Sequence, residues 1–384
     1  MDIDDKDFVP RTSDGTTAGQ YLRRLRKAPS IGGGFERGRS VAAPEATPDL
    51  SGDDVDALVD RLEQKLKTGG SQKDDLVTKR AVIIAEGKNA LKKLSTEGAD
   101  ADLTETEQFG TEAVIIASGE RPTLSVESGV LDLEDAELGQ WDQITRDWQD
   151  RIETIAKSVG RIDLAGRHMG TGWVCADGRV MTNRHVLQVI ADHNTDDGWK
   201  LKDDVTICFD GANKFAITPE IVFGGAPSAP QRSVDFAHVD AAILTCDTGG
   251  AVAFPEPLTM ETKKSWIVEA RNVYAMGFPA KPRPHQEKFA VLMEIFQMEF
   301  GVKRYAPGEI DTNLGGIPSD PNDTVFAHDC STLAGNSGSP MVDLGNEGRA
   351  VVGLHFAGLA RHGNFAHSVA ALKEHMEKIG AAFV

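Results

Sequence analysis

Hydrophobic positions in the first part of the chain predict a mixture of helices and strands. Apolar residues recur at helical spacing over 51–68, after a serine and two aspartates suited to a helix start, and Gly69-Gly70 ends that segment. The similar runs 81–87 and 113–119 are each rich in Val and Ile and each end at a glycine, which predicts two buried strands. Residues 133–158 again show near-helical apolar spacing and predict a helix that forms core, or a seam with the next domain.

From about Val159 the pattern changes to short apolar segments separated by turns. Asp177-Gly178 is typical of a hairpin turn between the strands 172–175 and 179–182. A helix over 368–379 is expected to close the chain. Many short strands of this kind indicate a β-barrel or sandwich. The further predicted strands are 205–209, 215–217, 241–245, 272–276, 289–300, 341–343 and 350–354.

The chain has 384 residues, which is long for a single domain. We expect a flexible tail over 1–46, a small α+β region over 47–158 and a β domain over 159–384. The tail contains a basic stretch, Tyr21–Ser40, with little to bury. A solvated arm is the plain interpretation of that stretch, and a docking peptide for an acidic partner is the alternative.

Charge and composition exclude several classes of function. The formal net charge is −18, which argues against a nucleic-acid-binding protein, because phosphate contacts need a basic face. The sequence shows neither a secretory signal nor an apolar run long enough to span a membrane. The four cysteines are scattered without metal-binding spacing, so we expect free thiols, a cytoplasmic location, no metal and no cofactor.

The run Gly335-Asn336-Ser337-Gly338-Ser339-Pro340 is a candidate catalytic turn. A serine hydroxyl is a weak nucleophile at neutral pH, so it needs a base and donors for an oxyanion. The flanking glycines allow a tight turn in which the amides of Gly335 and Ser337 point at one spot. A glycine-rich turn without chemistry is the alternative for this motif taken alone.

His185 is the candidate base, and Asp240 is the candidate carboxylate that orients it. His185 follows a predicted strand end, where a short helical turn could aim its ring into a cleft. Asp240 stands directly before an apolar strand, where a carboxylate is costly unless paired. Asp235 competes for this role, but Phe236-Ala237-His238 gives no comparable strand start.

Three blocks in the order His, Asp, Ser resemble the trypsin-like serine peptidases: Gly170–Trp173 with Thr182–Val186, Asp240–Leu244, and Gly335–Pro340. Val273–Pro279 is similar to a strand and turn of bacterial members. The resemblance covers about 159–384. It implies a mainly β chymotrypsin-like double β-barrel with a C-terminal helix, preceded by the small α+β region. It also implies a serine endopeptidase with a Ser337–His185–Asp240 triad in the cleft between the barrels.

Two departures from animal trypsins indicate the bacterial glutamyl-endopeptidase-like or Deg-type members. Asn336 replaces the aspartate that pairs with a newly cut N-terminus in animal trypsins, and the domain boundary lacks an Ile-Val-Gly-Gly-like start. Activation by zymogen cleavage is therefore not predicted.

The resemblance also suggests a substrate pocket. Thr332 and His355 occupy positions that resemble those which bind the substrate carboxylate in glutamyl endopeptidases. Phe356, Ala357 and Gly358 would then pair with the substrate backbone. A satisfied core histidine on a strand remains the alternative for His355.

Two other functions stay open at this point. A catalytically silent peptidase fold could serve as a binding module, with residues 1–158 recruiting a protein partner. An α/β-hydrolase elbow is disfavoured, because Ser339 replaces the final glycine of Gly-x-Ser-x-Gly and no strand–helix alternation surrounds Ser337.

Overall fold

The structure is a computed structural model, and it describes most of the chain beyond residue 51. The described ranges are 17–25, 52–68, 74–118, 122–134, 136, 138–194, 198–211, 213–225, 234–250, 252–280, 300–317, 319–332, 335–359 and 363–384.

The first described part of the chain is helical. It consists of α1 (Thr17–Leu25), α2 (Gly52–Thr68), α3 (Asp74–Glu97) and α4 (Glu105–Ser118). Their apolar faces form one core of their own, with Leu62 and Leu94 among its fully buried residues. The predicted helix over 51–68 is confirmed from Gly52 onward.

The two predicted strands in this region are wrong. Residues 81–87 lie inside α3, and 113–118 lie inside α4. The longer apolar pattern explains the helix, because Ile83, Ala90 and Leu94 are buried at helical spacing while Val82 is exposed. The two helices also cross at glycines: a Cβ added at Gly110 would lie 2.3 Å from the Gly87 nitrogen. Close helix packing here overrides the strand preference of Val and Ile.

The predicted tail is also wrong over part of its length. Thr17–Leu25 forms α1, whose residues Ala18, Tyr21, Leu22 and Leu25 are buried in the helical core. The rest of the predicted tail and most of its basic stretch lie outside the described residues.

A hairpin and two short helices connect the helical core to the barrels. The hairpin consists of β1 (Leu124–Glu127) and β2 (Val130–Leu131), and the helices are α5 (Asp142–Asp147) and α6 (Gln149–Lys157). The helix predicted over 133–158 therefore begins at a short 3-10 turn, Gly139–Trp141, and is interrupted at Trp148. With this hairpin, the region before residue 159 contains both helices and strands.

The strands of the first barrel are β3 (Val159–Leu164), β4 (Arg167–Ala176), β5 (Arg179–Thr182), β8 (Val205–Cys208), β9 (Lys214–Phe223) and β10 (Ala242–Cys246). They form a closed antiparallel sheet in the order β10-β5-β4-β3-β8-β9. A short helix, α7 (Arg184–Ile190), follows β5, and the small hairpin β6 (Ala191–Asn194) and β7 (Gly198–Leu201) follows α7.

The strands of the second barrel are β11 (Asn272–Gly277), β12 (Lys303–Thr312), β13 (Val325–His328), β14 (Pro340–Asp343), β15 (Val351–Leu359) and β16 (Gly363–Ser368). Their order is β11-β14-β15-β16-β13-β12, and pairing of β11 with β12 closes the barrel. The β1–β2 hairpin extends it, with Val126 opposite Lys303 of β12. A final helix, α8 (Lys373–Lys378), follows a 3-10 turn. The predicted double β-barrel with a C-terminal helix is confirmed. The strand predicted over 289–300 lies outside the described residues, apart from Phe300.

One apolar cluster joins the two barrels and the segment before them. It contains Trp173 and Ile243 of the first barrel and Tyr274 and Leu354 of the second. Trp141 of the connecting segment belongs to the same cluster, so this segment packs with the barrels. Of the candidate catalytic residues, His185 lies in the first turn of α7, whereas Asp240 and Ser337 lie in loops next to strands of the two barrels.

Three expectations about composition can be compared with the described residues. The four cysteines, all among the described residues, form no disulfide with one another, and three of them are buried. Among the described helices none is long and apolar enough to cross a membrane. The described residues contain no cluster of three or more His, Cys, Asp or Glu side chains arranged for a metal ion.

Candidate active site

His185 lies where β5 passes into α7, as the sequence predicted. Asn183 has an extended backbone and stands directly before the first helical residue. Its side-chain amide donates to the carbonyl oxygen of Asp240 at 2.8 Å. The start of α7 is thereby tied to the residue that precedes β10, which brings His185 and Asp240 together.

His185 and Asp240 form a close, directional pair. The ring nitrogen Nδ1 of His185 is 2.6 Å from Oδ2 of Asp240, and the His185 backbone N–H donates to Oδ1 at 2.9 Å. The imidazole side chain is 37% exposed and the carboxylate 14%. The imidazole is therefore partly accessible from outside, while the carboxylate is mostly enclosed.

This pairing controls the ionisation of both groups. Burial lowers the pKa of His185, but the charge and hydrogen bond of Asp240 outweigh it, so the pKa lies above its usual value. Burial raises the pKa of Asp240, but the His185 ring and backbone N–H outweigh it and lower the pKa. The carboxylate thus stays ionised and fixes the Nδ1–H tautomer, leaving Nε2 as the nitrogen that can accept a proton.

Asp235, the competing carboxylate, has other partners. It lies 3.0 Å from Nδ1 of His238 and accepts the backbone N–H of Ala237 at 3.0 Å. Asp240 is therefore the carboxylate that contacts His185, in agreement with its position before a buried strand.

Ser337 lies in a tight turn that needs its glycines. Gly335 and Gly338 have φ values of +92° and +90°, a region that L side chains rarely adopt. A Cβ at Gly338 would lie 2.1 Å from the Thr171 carbonyl oxygen, and one at Gly335 would lie 2.6 Å from that of Phe278. The Ser339 N–H donates to the Asn336 carbonyl at 2.9 Å and closes the turn.

Hydrogen bonds from both barrels hold this turn against β4, next to the end of the strand that leads to His185. The carbonyl oxygen of Ser337 accepts the Thr171 N–H at 2.8 Å, and the Gly338 N–H donates to the backbone carbonyl oxygen of His355 at 2.9 Å. The Thr182 hydroxyl, three residues before His185, donates to the Thr171 carbonyl at 2.7 Å. The Ser337 hydroxyl makes no hydrogen bond to His185 within the described residues, and in substrate-free enzymes this bond is often long.

The predicted pocket residues Thr332 and His355 lie on either side of the Ser337 turn along the chain. The Thr332 hydroxyl is buried and has no hydrogen-bond partner among the described residues. His355 is 3% exposed, and its Nδ1 lies 3.1 Å from Nε2 of His328. Burial lowers the pKa of His355 well below its usual value and that of His328 to about 3, so both rings are neutral at pH 7.

Phe356, Ala357 and Gly358 continue β15 beyond its contact with the serine turn. The pairing of β15 with β14 ends at Leu354, whereas Ala357 and Gly358 still pair with Phe365 and Asn364 of β16. The side of β15 that faces away from β16 thus has no described strand beside it at these residues.

Two buried histidines were not predicted as part of the site. His328 contacts His355 from β13, and Nε2 of His367 on β16 accepts the backbone N–H of Asp240 at 3.0 Å. Both lie in short segments, Val-Phe-Ala-His and Phe-Ala-His-Ser, whose sequences are typical of a β-strand and do not indicate a functional site. Only the pairing of β13 with β16, which no local pattern reveals, would have placed them here.

Two closed antiparallel barrels that bring together a His–Asp pair and a glycine-flanked serine define the class of chymotrypsin-like serine peptidases. Comparison with known proteins gives the same class. The sequence profile of the trypsin-like peptidase domain matches residues 170–354. A probable serine protease of Lysobacter enzymogenes is 30% identical over 353 residues, which covers 85% of this chain and 89% of that protein.

The chain belongs to the trypsin-like serine peptidase family, and it is a serine endopeptidase. Solved structures of lower similarity include the active form of a protease of Mycobacterium tuberculosis, which is 21% identical. That match covers 60% of this chain and 84% of the other, with a TM-score of 0.37. Neuropsin from mouse brain is 11% identical, with 59% and 95% covered and a TM-score of 0.42. The family assignment rests on the profile and the Lysobacter relative.

Proposed function

We propose that Ser337, His185 and Asp240 are the catalytic triad of this peptidase. In the acylation step Ser337 Oγ attacks the scissile carbonyl carbon while Nε2 of His185 takes the hydroxyl proton. The carbonyl oxygen gains the negative charge, and the amides of Gly335 and Ser337 are its donors. Nε2 then gives the proton to the leaving amine, and the C–N bond breaks to leave an acyl-enzyme.

Water completes the reaction by the reverse sequence of proton transfers. His185 takes a proton from the water, the oxygen attacks the ester carbon, and Nε2 returns a proton to Ser337 Oγ as the peptide acid leaves. Asp240 stays ionised throughout and stabilises the imidazolium that forms in each step. The contact that supports this assignment most directly is the 2.6 Å pair between His185 and Asp240.

Labelling with a fluorophosphonate probe tests the nucleophile. The wild-type chain should be labelled at Ser337 and should cleave casein, whereas Ser337→Ala should lose both the label and cleavage, by more than about 1000-fold. Ser95→Ala is the matched control, because Ser95 lies on an exposed part of α3. Labelling that persists in Ser337→Ala would overturn the assignment.

We also propose that the enzyme prefers glutamate at P1, the residue before the cleaved bond. The Thr332 hydroxyl, which has no hydrogen-bond partner among the described residues, can donate to a carboxylate. The His355 ring is neutral in the free enzyme, but a bound glutamate carboxylate would raise its pKa, and the protonated ring would add a charge-assisted hydrogen bond. The neighbouring ring of His328 can exchange that proton with His355. The open side of β15 at Phe356, Ala357 and Gly358 would pair with the substrate backbone.

Matched peptides with Glu, Gln or Leu at P1 test this preference. We expect kcat/KM to favour Glu over Gln by about 30-fold or more, since only the carboxylate forms an ion pair with a protonated imidazole, whereas the Gln amide oxygen accepts a weaker hydrogen bond. Thr332→Val should reduce that ratio about tenfold, whereas Thr154→Val on the exposed face of α6 should not. Equal rates for Glu and Gln would leave His355 as a core histidine and refute the pocket.

We further propose that the region before residue 159 binds a protein partner and gates the peptidase. The helices α1 to α4 have an apolar core separate from that of the barrels. The segment after them is hydrogen-bonded to β12 of the second barrel, so a change in it has a direct route to the catalytic unit.

A further inference from the structure

His367 is a buried histidine in contact with the backbone of the catalytic carboxylate. It lies on β16, is 0% exposed, and its Nε2 accepts the Asp240 N–H at 3.0 Å. Accepting an N–H requires a lone pair, so Nε2 is unprotonated and the ring carries its proton on Nδ1. Nδ1 is buried without a hydrogen-bond partner among the described residues.

An unpartnered ring nitrogen costs stability, and a leucine or phenylalanine at this place would avoid the cost. The acceptor at Nε2 is what a histidine provides here and an apolar side chain does not. Without it the Asp240 N–H would lose its partner.

The contacts of Asp240 show what this acceptor does. Its carbonyl oxygen is held by Asn183, its Oδ1 by the His185 N–H and its Oδ2 by the His185 ring. The remaining polar group of Asp240 is its backbone N–H, and this group donates to Nε2 of His367. The backbone of Asp240 is thus fixed on both sides, which sets where the carboxylate meets Nδ1 of His185.

His367 also connects this carboxylate to the strand proposed to bind substrate. Its ring stacks on Phe356 with centroids 4.0 Å apart and an interplanar angle of 20°. Phe236 packs edge-on against Phe356 and fixes the other ring of the stack. The orientation of His367 therefore depends on β15, directly beside the serine turn.

We propose that His367 is a positioning residue, which holds Asp240 in register with His185 through a neutral Nε2 acceptor. The proposal rests on the triad proposed above and adds a residue to its support. Burial lowers the pKa of His367 to about 4, so the acceptor persists at neutral pH. The ionisable groups that act on this ring are Asp240, Asp320, Arg184 and Asp235.

Paired substitutions separate positioning from packing. His367→Leu removes the acceptor at similar volume, whereas His367→Gln keeps an oxygen that can accept the Asp240 N–H. We expect His367→Leu to lower kcat by about 10- to 100-fold with KM within about twofold of the wild-type value, and His367→Gln to stay within about threefold. His375→Leu on α8 is the control histidine, since its ring packs on Phe223 and makes no contact with the proposed triad among the described residues.

The pH dependence of kcat/KM distinguishes positioning of Asp240 from a purely structural role of His367, because a purely structural role would leave it unchanged. Asp240 raises the pKa of His185, so a misplaced carboxylate should let that pKa fall. The acid limb of kcat/KM should then move to lower pH in His367→Leu and stay in place in His367→Gln. The downfield NMR signal of the His185 Nδ1 proton should weaken in the same variant only.

The rates are to be normalised to the fraction of sites that a covalent serine probe labels, so that unfolded protein is not counted. If His367→Leu does not fold, His367→Met replaces it, because methionine adapts to irregular spaces and is a weak acceptor. A wild-type kcat and acid limb in the apolar variant, or equal losses in both variants, would overturn the proposal. Asp240→Asn serves as the reference. If Asp240→Asn is fully active, the proposed triad is wrong. If Asp240→Asn loses most of its activity while the His367 variants keep theirs, only the proposed role of His367 is wrong.

Discussion

A methyl group on residue 338, which is a glycine, would collide with Thr171 and with Thr182 at the end of the strand that leads to His185. A Cβ there would lie 2.1 Å from the Thr171 carbonyl oxygen and 2.5 Å from the Thr182 hydroxyl. Those two groups are hydrogen-bonded to each other, and the Thr171 N–H holds the Ser337 carbonyl. The glycine therefore does more than permit a positive φ: it allows the serine turn to lie against the strand end.

Gly338→Ala should accordingly damage both activity and stability. We expect kcat/KM to fall by at least about 100-fold, because a misplaced nucleophile loses its alignment, and the free energy of unfolding to fall by about 2–4 kcal/mol. Gly166→Ala separates strain from collision, since Gly166 has φ of +73° with nothing within 4 Å of an added Cβ. It should cost about 1 kcal/mol and leave kcat/KM unchanged. Equal effects of the two substitutions on activity would contradict this account.

At the scale of elements, local patterns predicted those parts whose partners are near in sequence. Turn residues and the alternation of apolar and polar positions predict the hairpin at Asp177-Gly178 and the end of β5. They also predict the short helix that bears His185. Asp240 could be chosen over Asp235 because a carboxylate before a buried strand needs a partner. The His–Asp contact itself was inferred from a family resemblance, since 55 residues separate the two.

The failures of prediction have a different physical cause. In α3 and α4 the runs of Val and Ile favoured strands, but helix packing across Gly87 and Gly110 decided the outcome. His328 and His367 could not be assigned to the site from their own segments, because long-range strand pairing brings them there. The hairpin β1–β2 was missed because its strands are very short and complete a sheet whose other strands lie far along the chain.

At the scale of the whole molecule, the barrels share their core with the segment that precedes them. Ile152 and Ile155 of α6 and Trp141 lie in the same apolar cluster as Trp173 and Tyr274. The predicted domain boundary at 158/159 would cut this cluster. A boundary between α4 and β1 would leave it whole.

Lys303 ties this segment to both barrels. It is 2% exposed, and its Nζ donates to the Ala156 carbonyl at 2.6 Å and the Phe209 carbonyl at 2.8 Å, with Asp210 at 3.2 Å. Burial lowers the pKa of Lys303, although Asp210 opposes this. Removing residues before 159 would take away the Ala156 oxygen and the strand that pairs with β12, leaving a buried amine with fewer partners.

Two truncations test the boundary and the proposed gating together. Residues 122–384 keep the shared core, so we expect a cooperative thermal transition and full labelling of Ser337 by a fluorophosphonate. Residues 159–384 lose Trp141, Ile152 and the Ala156 oxygen, and should have a Tm lower by at least about 10 °C or fail to fold. Equal Tm values for the two would show that the boundary at 158/159 is sufficient.

The longer of the two fragments, residues 122–384, then tests gating, because it lacks only the helical core and the residues before that core. If that region restrains the enzyme, peptide cleavage by 122–384 should exceed cleavage by the full chain about tenfold or more, and added lysate should raise the rate of the full chain alone. Equal rates with and without lysate would refute gating while leaving the triad untouched, since labelling of Ser337 measures the triad independently. An active full chain with an inactive 122–384 would instead make the helices an activator of the barrels, contrary to restraint.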